Sequence, residues 1–318
     1  SFLGGVTVLH VHWLGLVALL GAFVVGVTFG IISALRQYSA IDYTFTFASF
    51  FLYSLPSFLM GVLLKVFIAL GFNDFLTDPT ISWPWIVGLS LVSGIFWQAI
   101  LGGSRKKRIV VLAASLVTTA VMLWGISTTQ WLLDPSLGPI IAPLLIAGVG
   151  AGMVVLIAGT HSKFAWRTGG AVAIAVIILY FVSLPFLRGW GVAGIIGLFV
   201  VGIAIGIGAG FLLGEHDKGQ AARIGALTAA LGVAVIVLDQ YMRTWNEYVT
   251  NPRINGRPIA TVGSATPTLK GDFWIHSTDT FTHLLLPTIS LMLISFAGYT
   301  RYARGGMLEV LGQDYIRT

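Results

Sequence analysis

The chain has 318 residues, of which 56% are hydrophobic and only 9% charged, and its mean hydropathy is +0.91. A soluble domain carries about 25% charged residues, so this chain cannot cover itself with polar surface, and water is not its solvent. It has no cysteine, which excludes disulfides, thiol catalysis and thiolate metal sites. Its net charge of +6 matters mainly through where Lys and Arg fall.

The chain opens Ser-Phe-Leu-Gly-Gly, without an initiator Met or the basic start of a signal peptide, and is expected to lie inside a longer protein. Apolar stretches then recur at 13–34, 43–71, 83–101, 109–131, 139–158, 170–187, 190–213, 223–240 and 282–300. Each has the character of a spanning helix, which needs about 20 residues. The expected fold is all-α, a polytopic integral membrane protein with about nine transmembrane helices. The 43–71 stretch is the longest and holds Pro56, so a tilt or kink is expected there.

Threading these spans alternately puts Arg36, Arg105 to Arg108, Lys163, Arg167, Lys218, Arg223, Arg301, Arg304 and Arg317 on one face. The short loops of the other face hold only Arg188. The basic face is therefore cytoplasmic. The long polar segment 241–281, with turn signals at Asn251-Pro252, Asn255-Gly256 and Thr266-Pro267, is then extracytoplasmic.

Three short turns share the form Gly-x-x-x-Lys: Gly103 to Lys107, Gly159 to Lys163 and Gly214 to Lys218. Their period is roughly 55 residues, which reads as a helix pair used three times. In the third unit Gly202, Gly206, Gly210 and Gly214 recur every four residues and make a flat face for close helix packing. Gly148 to Gly152 lacks the Lys-Ser/Thr of a phosphate loop and reads as packing too.

No catalytic constellation emerges, and no metal or cofactor is expected. His10 and His12 fall on different faces of a helix and lack a carboxylate or Cys partner. His161 and His216 belong to the basic turns, where head-group contact is the expected role. His283 is expected at the membrane interface. Asp42 and Asp239 lie at span ends and need no special role. Lys65, about two turns from the outer end of its span, either snorkels to the head groups or lines a water-filled passage and attracts a substrate carboxylate. Around Pro56, in Ser54-Leu55-Pro56-Ser57, the freed carbonyl suits either a passage lining or a packing kink.

The closing stretch, Thr300-Arg301, Met307-Leu-Glu-Val-Leu311 and Asp314-Tyr-Ile-Arg-Thr318, resembles the permease subunits of binding-protein-dependent ABC importers of the dipeptide/oligopeptide branch. Leu286-Pro287 matches the Leu-Pro before that span. Gly30-Ile-Ile-Ser-Ala-Leu-Arg36 with Asp42, and Tyr53-Ser-Leu-Pro-Ser-Phe58, resemble two earlier motifs of the family.

The resemblance covers about 13–72 and 250–318. It implies a permease core in 1–79 and 282–318, an extracytoplasmic loop at 241–281 and an inserted six-span block at 80–240. It further implies that residues on both sides of this chain complete the core. Glu309, Gln313, Asp314, Tyr315, Ile316, Arg317 and Thr318 would open the segment that couples to the ATPase. Ser54, Pro56, Ser57, Lys65 and Ser295 are the candidates for the translocation path.

The implied function is peptide import across a prokaryotic cell membrane, without chemistry by this subunit. The implied partners are a second homologous permease, two ABC ATPase subunits, an extracytoplasmic substrate-binding protein and membrane lipids, with no nucleic acid. Two alternatives stay open: a permease for another solute such as a nickel chelate, and a polytopic membrane enzyme acting on lipid.

Overall fold

Glycine, serine and proline signals between the apolar stretches become helix ends in the structure, a computed structural model that describes residues 2–215 and 217–313 (side chains of 2–15, 17 and 18 excepted). The chain is 81% helical, with no strand among the described residues. Each apolar segment thus satisfies its own backbone groups, as lipid requires. Among the described residues ten α-helices follow in order: α1 Phe2–Leu35, α2 Ala40–Ser54, α3 Ser57–Leu63, α4 Gly71–Phe75, α5 Trp83–Leu101, α6 Arg105–Thr129, α7 Gly138–Ala158, α8 Lys163–Leu213, α9 Lys218–Val249 and α10 Phe273–Leu311. A π-helical segment, Leu64–Leu70, joins α3 to α4, so that Ser57–Phe75 is continuous.

Seven of these segments are long and apolar enough to cross a membrane, counting Ser57–Phe75 as one. The 51-residue α8 is two spans in one: Gly191 has φ 53°, which breaks the helical path. Arg167 and Glu215, near the two ends of α8, form an ion pair at 2.7 Å. A straight helix would hold them about 70 Å apart, so α8 folds back at Gly191. A side chain at Gly191 would also press on Phe273, 3.3 Å from its Cβ position. The spans expected at 170–187 and 190–213 are therefore the two arms of α8.

Three boundaries differ from the sequence expectation. The 43–71 span is interrupted: Leu55 and Pro56 are both extended, and Pro56 caps a new helix, with the Met60 amide donating to its carbonyl at 3.0 Å. The 241–281 loop contracts, because α9 runs on to Val249 and α10 already starts at Phe273. Tyr248 and Trp274 are fully buried and continue the apolar faces past the nominal span ends. In the first basic turn it is Gly102, at φ 52°, that closes the preceding helix, in the role Gly159 takes in the second turn. The next helices then start at Arg105, Lys163 and Lys218 behind caps Ser104, Ser162 and Asp217.

Two compact units divide the chain. Unit 1 comprises 1–132, 254–267 and 279–318, and therefore includes the 83–129 hairpin that the sequence groups with the repeat block. Within it Asn73 is buried and pairs twice with the Ile259 backbone, donating to its carbonyl and accepting from its amide, both at 3.0 Å. That pairing pins the 254–267 coil to α4. Unit 2 comprises 133–253 and 268–278. Its core gathers Ile146 of α7, Val172, Val176, Tyr180 and Leu187 of α8, and Val233 and Ile236 of α9 around Trp274.

In unit 2, Gly202, Gly206, Gly210 and Gly214 all lie against α9 or its first turn, opposite Val233, Gly225, Ala222 and Ala221. Asp239, fully buried on α9, accepts from the Leu137 and Gly138 amides at 2.7 and 3.3 Å, from Tyr180 Oη at 2.9 Å and from Arg243 Nε at 2.8 Å. The expectation that it needs no special role is corrected. A carboxylate set at the start of α7 satisfies amides that the helix itself leaves unpaired. Arg188, the lone basic residue of the opposite short loops, is paired with Asp272 at 2.8 Å and with Glu247.

Candidate functional site

The α1–α2 turn, with Arg36 and Asp42, and the α10 segment from Thr300 to Arg304 meet at the basic end of unit 1. Ser39 caps α2, its hydroxyl accepting from the Asp42 amide at 3.2 Å. The cap fixes Asp42 in the first turn, where its carboxylate points back at α1. Ser33 of α1 donates to Oδ1 at 2.5 Å, Thr46 donates to it at 3.2 Å, and the Tyr38 amide donates to Oδ2 at 3.1 Å. Arg304 of α10 closes the cluster with two bonds, Nε to Oδ1 at 2.9 Å and Nη2 to Oδ2 at 3.2 Å.

A forked guanidinium on a carboxylate is the strongest side-chain pairing geometry available. Asp42 is only 3% exposed. The Arg304 hydrogen bond outweighs burial and, with Ser33 and Tyr38, lowers its carboxyl from the ordinary 3.8 to about 2. Asp42 was expected to need no role; it is the hub of this end. The Ser39 cap three residues before Asp42 is a local signal, whereas the pairing with Arg304, 262 positions away, has none.

Two glycines bring α1 and α10 close enough for this pair. A Cβ on Gly26 would lie 2.8 Å from the Cβ of Tyr299, and one on Gly30 would lie 2.7 Å from both the Ala303 Cβ and the Thr300 carbonyl. Phe23 stacks edge-on against Tyr299 one turn higher, with centroids 5.3 Å apart. Arg36 reaches from the α1–α2 turn to the last carbonyls of α5, with Nη1 2.8 Å from Ile100 O and 3.3 Å from Ala99 O. A cation at a helix C-terminus is favourably placed. The α1–α2 turn thus joins α5 on one side and α10 on the other.

The coupling candidates lie just beyond this clamp. Glu309 is exposed on the last turns of α10, and Gln313 is exposed in the turn that follows, its amide donating to the Val310 carbonyl at 3.2 Å. Asp314, Tyr315, Ile316, Arg317 and Thr318 lie outside the described residues, as does His216.

The path candidates divide into two places. Ser54, Pro56 and Ser57 are exposed together at the α2–α3 break, and the Ser54 hydroxyl donates to the Phe51 carbonyl at 2.8 Å. Ser295 is half-buried on α10. Lys65 is exposed within the π-helical segment, and the continuous helix extends ten residues beyond it to Phe75 rather than two turns. π-helical turns in α-helices are frequent at functional sites. His283, expected at the interface, is buried, with Nδ1 2.8 Å from the Asp279 carbonyl.

Architecture and composition define a multi-pass helical membrane protein. Over 56 residues the chain is 46% identical to the oligopeptide transport system permease protein OppB of Mycobacterium tuberculosis, which is 18% of this chain and 17% of that protein. Over 40 residues it is 55% identical to the oligopeptide transport system permease protein AppB of Bacillus subtilis, 13% of each. The match thus spans about a sixth of the length of OppB and about an eighth of that of AppB. No family model matches the chain, and no solved structure does.

Proposed function

We propose that this chain is a translocation subunit of an ABC importer for peptides, working without covalent chemistry of its own. The likeness to peptide permeases supports the class, and the Asp42–Arg304 clamp is the observation that carries the coupling. It ties the α1–α2 hairpin to α10, whose last turns carry Glu309 and whose following turn carries Gln313. A displacement of that helix end would therefore be passed to α1 and α2 as one body, and α2 leads straight into the Pro56 break. The basic end faces the cytoplasm, where two ATPase subunits would grip the segment after α10. A second, homologous permease would complete the passage, and an outer binding protein would deliver the peptide. Alternating access then needs two states that differ in which end of the passage is open.

The chain is free of cysteine, so a single Gln313→Cys or Glu309→Cys variant gives an unambiguous crosslinking probe. In the assembled transporter either should crosslink to an ATPase subunit, and peptide-loaded binding protein should stimulate ATP hydrolysis. A protein that purifies alone, forms no such crosslink and turns over a lipid would sink the proposal.

Lys65 is the passage residue of this scheme. Its ammonium has no counter-charge among the described residues, and a peptide carboxylate would supply one. Lys65→Met is expected to weaken uptake of peptides about tenfold, the scale of one charged contact, while peptides amidated at the C-terminus lose little. Equal loss for both kinds of peptide would remove Lys65 from that role.

A further inference from the structure

We infer that Arg301, with Tyr53 and Tyr302, forms a seat for the phosphate of an anionic phospholipid at the basic end of unit 1. Arg301 lies where the apolar run of α10 ends, one turn before the Arg304 clamp. Its guanidinium carbon sits 4.4 Å from the ring centroid of Tyr53 and 5.0 Å from that of Phe50, both on α2. Two rings therefore fix the plane of the cation. Unlike Arg304, Arg301 has no carboxylate and no hydrogen-bond acceptor among the described residues. Its five N–H donors are held in place and left to an outside partner.

That partner has room. A groove of about 370 Å³ beside Arg301 is lined by Tyr53, Gly298, Tyr302, Gly305 and Gly306. A Cβ on any of the three glycines would meet nothing within 4 Å, so no close helix contact among the described residues calls for them. Glycine in a helix costs up to about 1 kcal/mol relative to alanine. What the three do here is keep the floor of the groove low next to a fixed cation. Tyr302 is 84% exposed and Tyr53 62%, so both rings border the open side with polar tips available.

A planar guanidinium flanked by phenols suits phosphate. Basic pockets between membrane helices at the cytoplasmic side are where anionic head groups bind. Gly298, which lines the groove, belongs to the apolar helix α10, which is long enough to cross a membrane, so an acyl chain has an apolar surface beside Arg301 that a free anion cannot use. This inference stands apart from the transport reading, because it requires only that the helices lie in a membrane.

The test uses the full chain in mild detergent and in nanodiscs. Native mass spectrometry would count retained phosphatidylglycerol against phosphatidylcholine. Thermal midpoints would be read with each lipid and with inorganic phosphate alone. Wild type is expected to retain phosphatidylglycerol selectively and to be stabilised by it, with affinity about tenfold lower in Arg301→Gln. Gly305→Leu separates binding from folding: its side chain enters open space and improves helix propensity, so the protein should fold as well as wild type yet lose the lipid. Unchanged phosphatidylglycerol retention in Gly305→Leu would overturn the site. Inorganic phosphate protecting as well as the lipid would overturn the lipid assignment, and crosslinks from position 302 to a protein rather than to lipid would overturn both.

Discussion

Gly206→Leu is expected to abolish the close pairing of the second arm of α8 with α9, while Gly208→Ala two residues away leaves the protein as stable as wild type or slightly more so. At Gly206 a Cβ would fall inside contact distance of the Gly225 carbonyl, and at Gly225 a Cβ would do the same to the Gly206 carbonyl. The clash is backbone on backbone, so rotating a side chain cannot relieve it. Gly210 repeats the arrangement against Ala222 one turn on. Without a hydrophobic drive between helices in lipid, such close packing is what holds them together.

Overpacking a core costs about 1–3 kcal/mol when side chains can shift. Here the two helices must separate, so a loss above about 4 kcal/mol is expected. At Gly208 a Cβ meets nothing within 4 Å, and only the helix propensity gain remains, up to about 1 kcal/mol. Unfolding of the purified protein in mixed detergent micelles, with tryptophan fluorescence as the probe, reads both variants. Equal midpoints for Gly206→Leu and Gly208→Ala would show that the glycine seam does not carry the pairing.

Much of this was legible in the sequence. Apolar run length gave the helices, because a spanning helix has few other solutions in lipid. The four-residue glycine spacing from Gly202 gave a packing face, since that spacing keeps one side of a helix bare. Less legible was everything that depends on a partner distant in sequence. Asp42 and Asp239 look alike as acids at span ends, yet each proves to be a hub bound to residues 262 and 102 positions away. Hydropathy treats a buried ion pair as two charges near a boundary, and nothing in the local pattern names the second member. The 241–281 loop was overdrawn for a related reason: polar residues such as Asn246, which donates to the Leu133 carbonyl at 3.0 Å, and Glu247 sit on helix α9 because their partners lie elsewhere in unit 2. The fold-back of α8 was legible as the separate spans 170–187 and 190–213; its pivot, Gly191, was not, being one glycine among many that stay helical.

Arg304→Ala is expected to destabilise unit 1 and to uncouple α10 from the α1–α2 hairpin. The substitution leaves Asp42, 3% exposed, with Ser33, Thr46 and the Tyr38 amide as donors but without a counter-charge. Removing one member of a fully buried pair costs about 3–5 kcal/mol, because the remaining charge stays desolvated. Arg304 keeps a side-chain exposure of 31%, and solvent reaches its end of the pair, so about 2–3 kcal/mol is the expected loss. Asp42→Asn with Arg304→Gln should cost less than Arg304→Ala alone, since no unpaired charge remains.

The acid side gives an independent readout. Asp42 has a folded-state pKa of about 2 against an ordinary 3.8, so its contribution is complete above about pH 4 and is lost as pH falls toward 2. Wild type should therefore lose more stability than Asp42→Asn across that window, and Arg304→Ala should behave like Asp42→Asn. On the proposed transport function, Arg304→Ala in the assembled transporter should keep basal ATP hydrolysis but lose most of its stimulation by peptide-loaded binding protein, because the helix proposed to meet the ATPase would no longer carry α1 and α2 with it. Full stimulation in an Arg304→Ala protein that folds would mean that the clamp is structural alone, and that the close contacts at Gly26 and Gly30 suffice to move the three helices together.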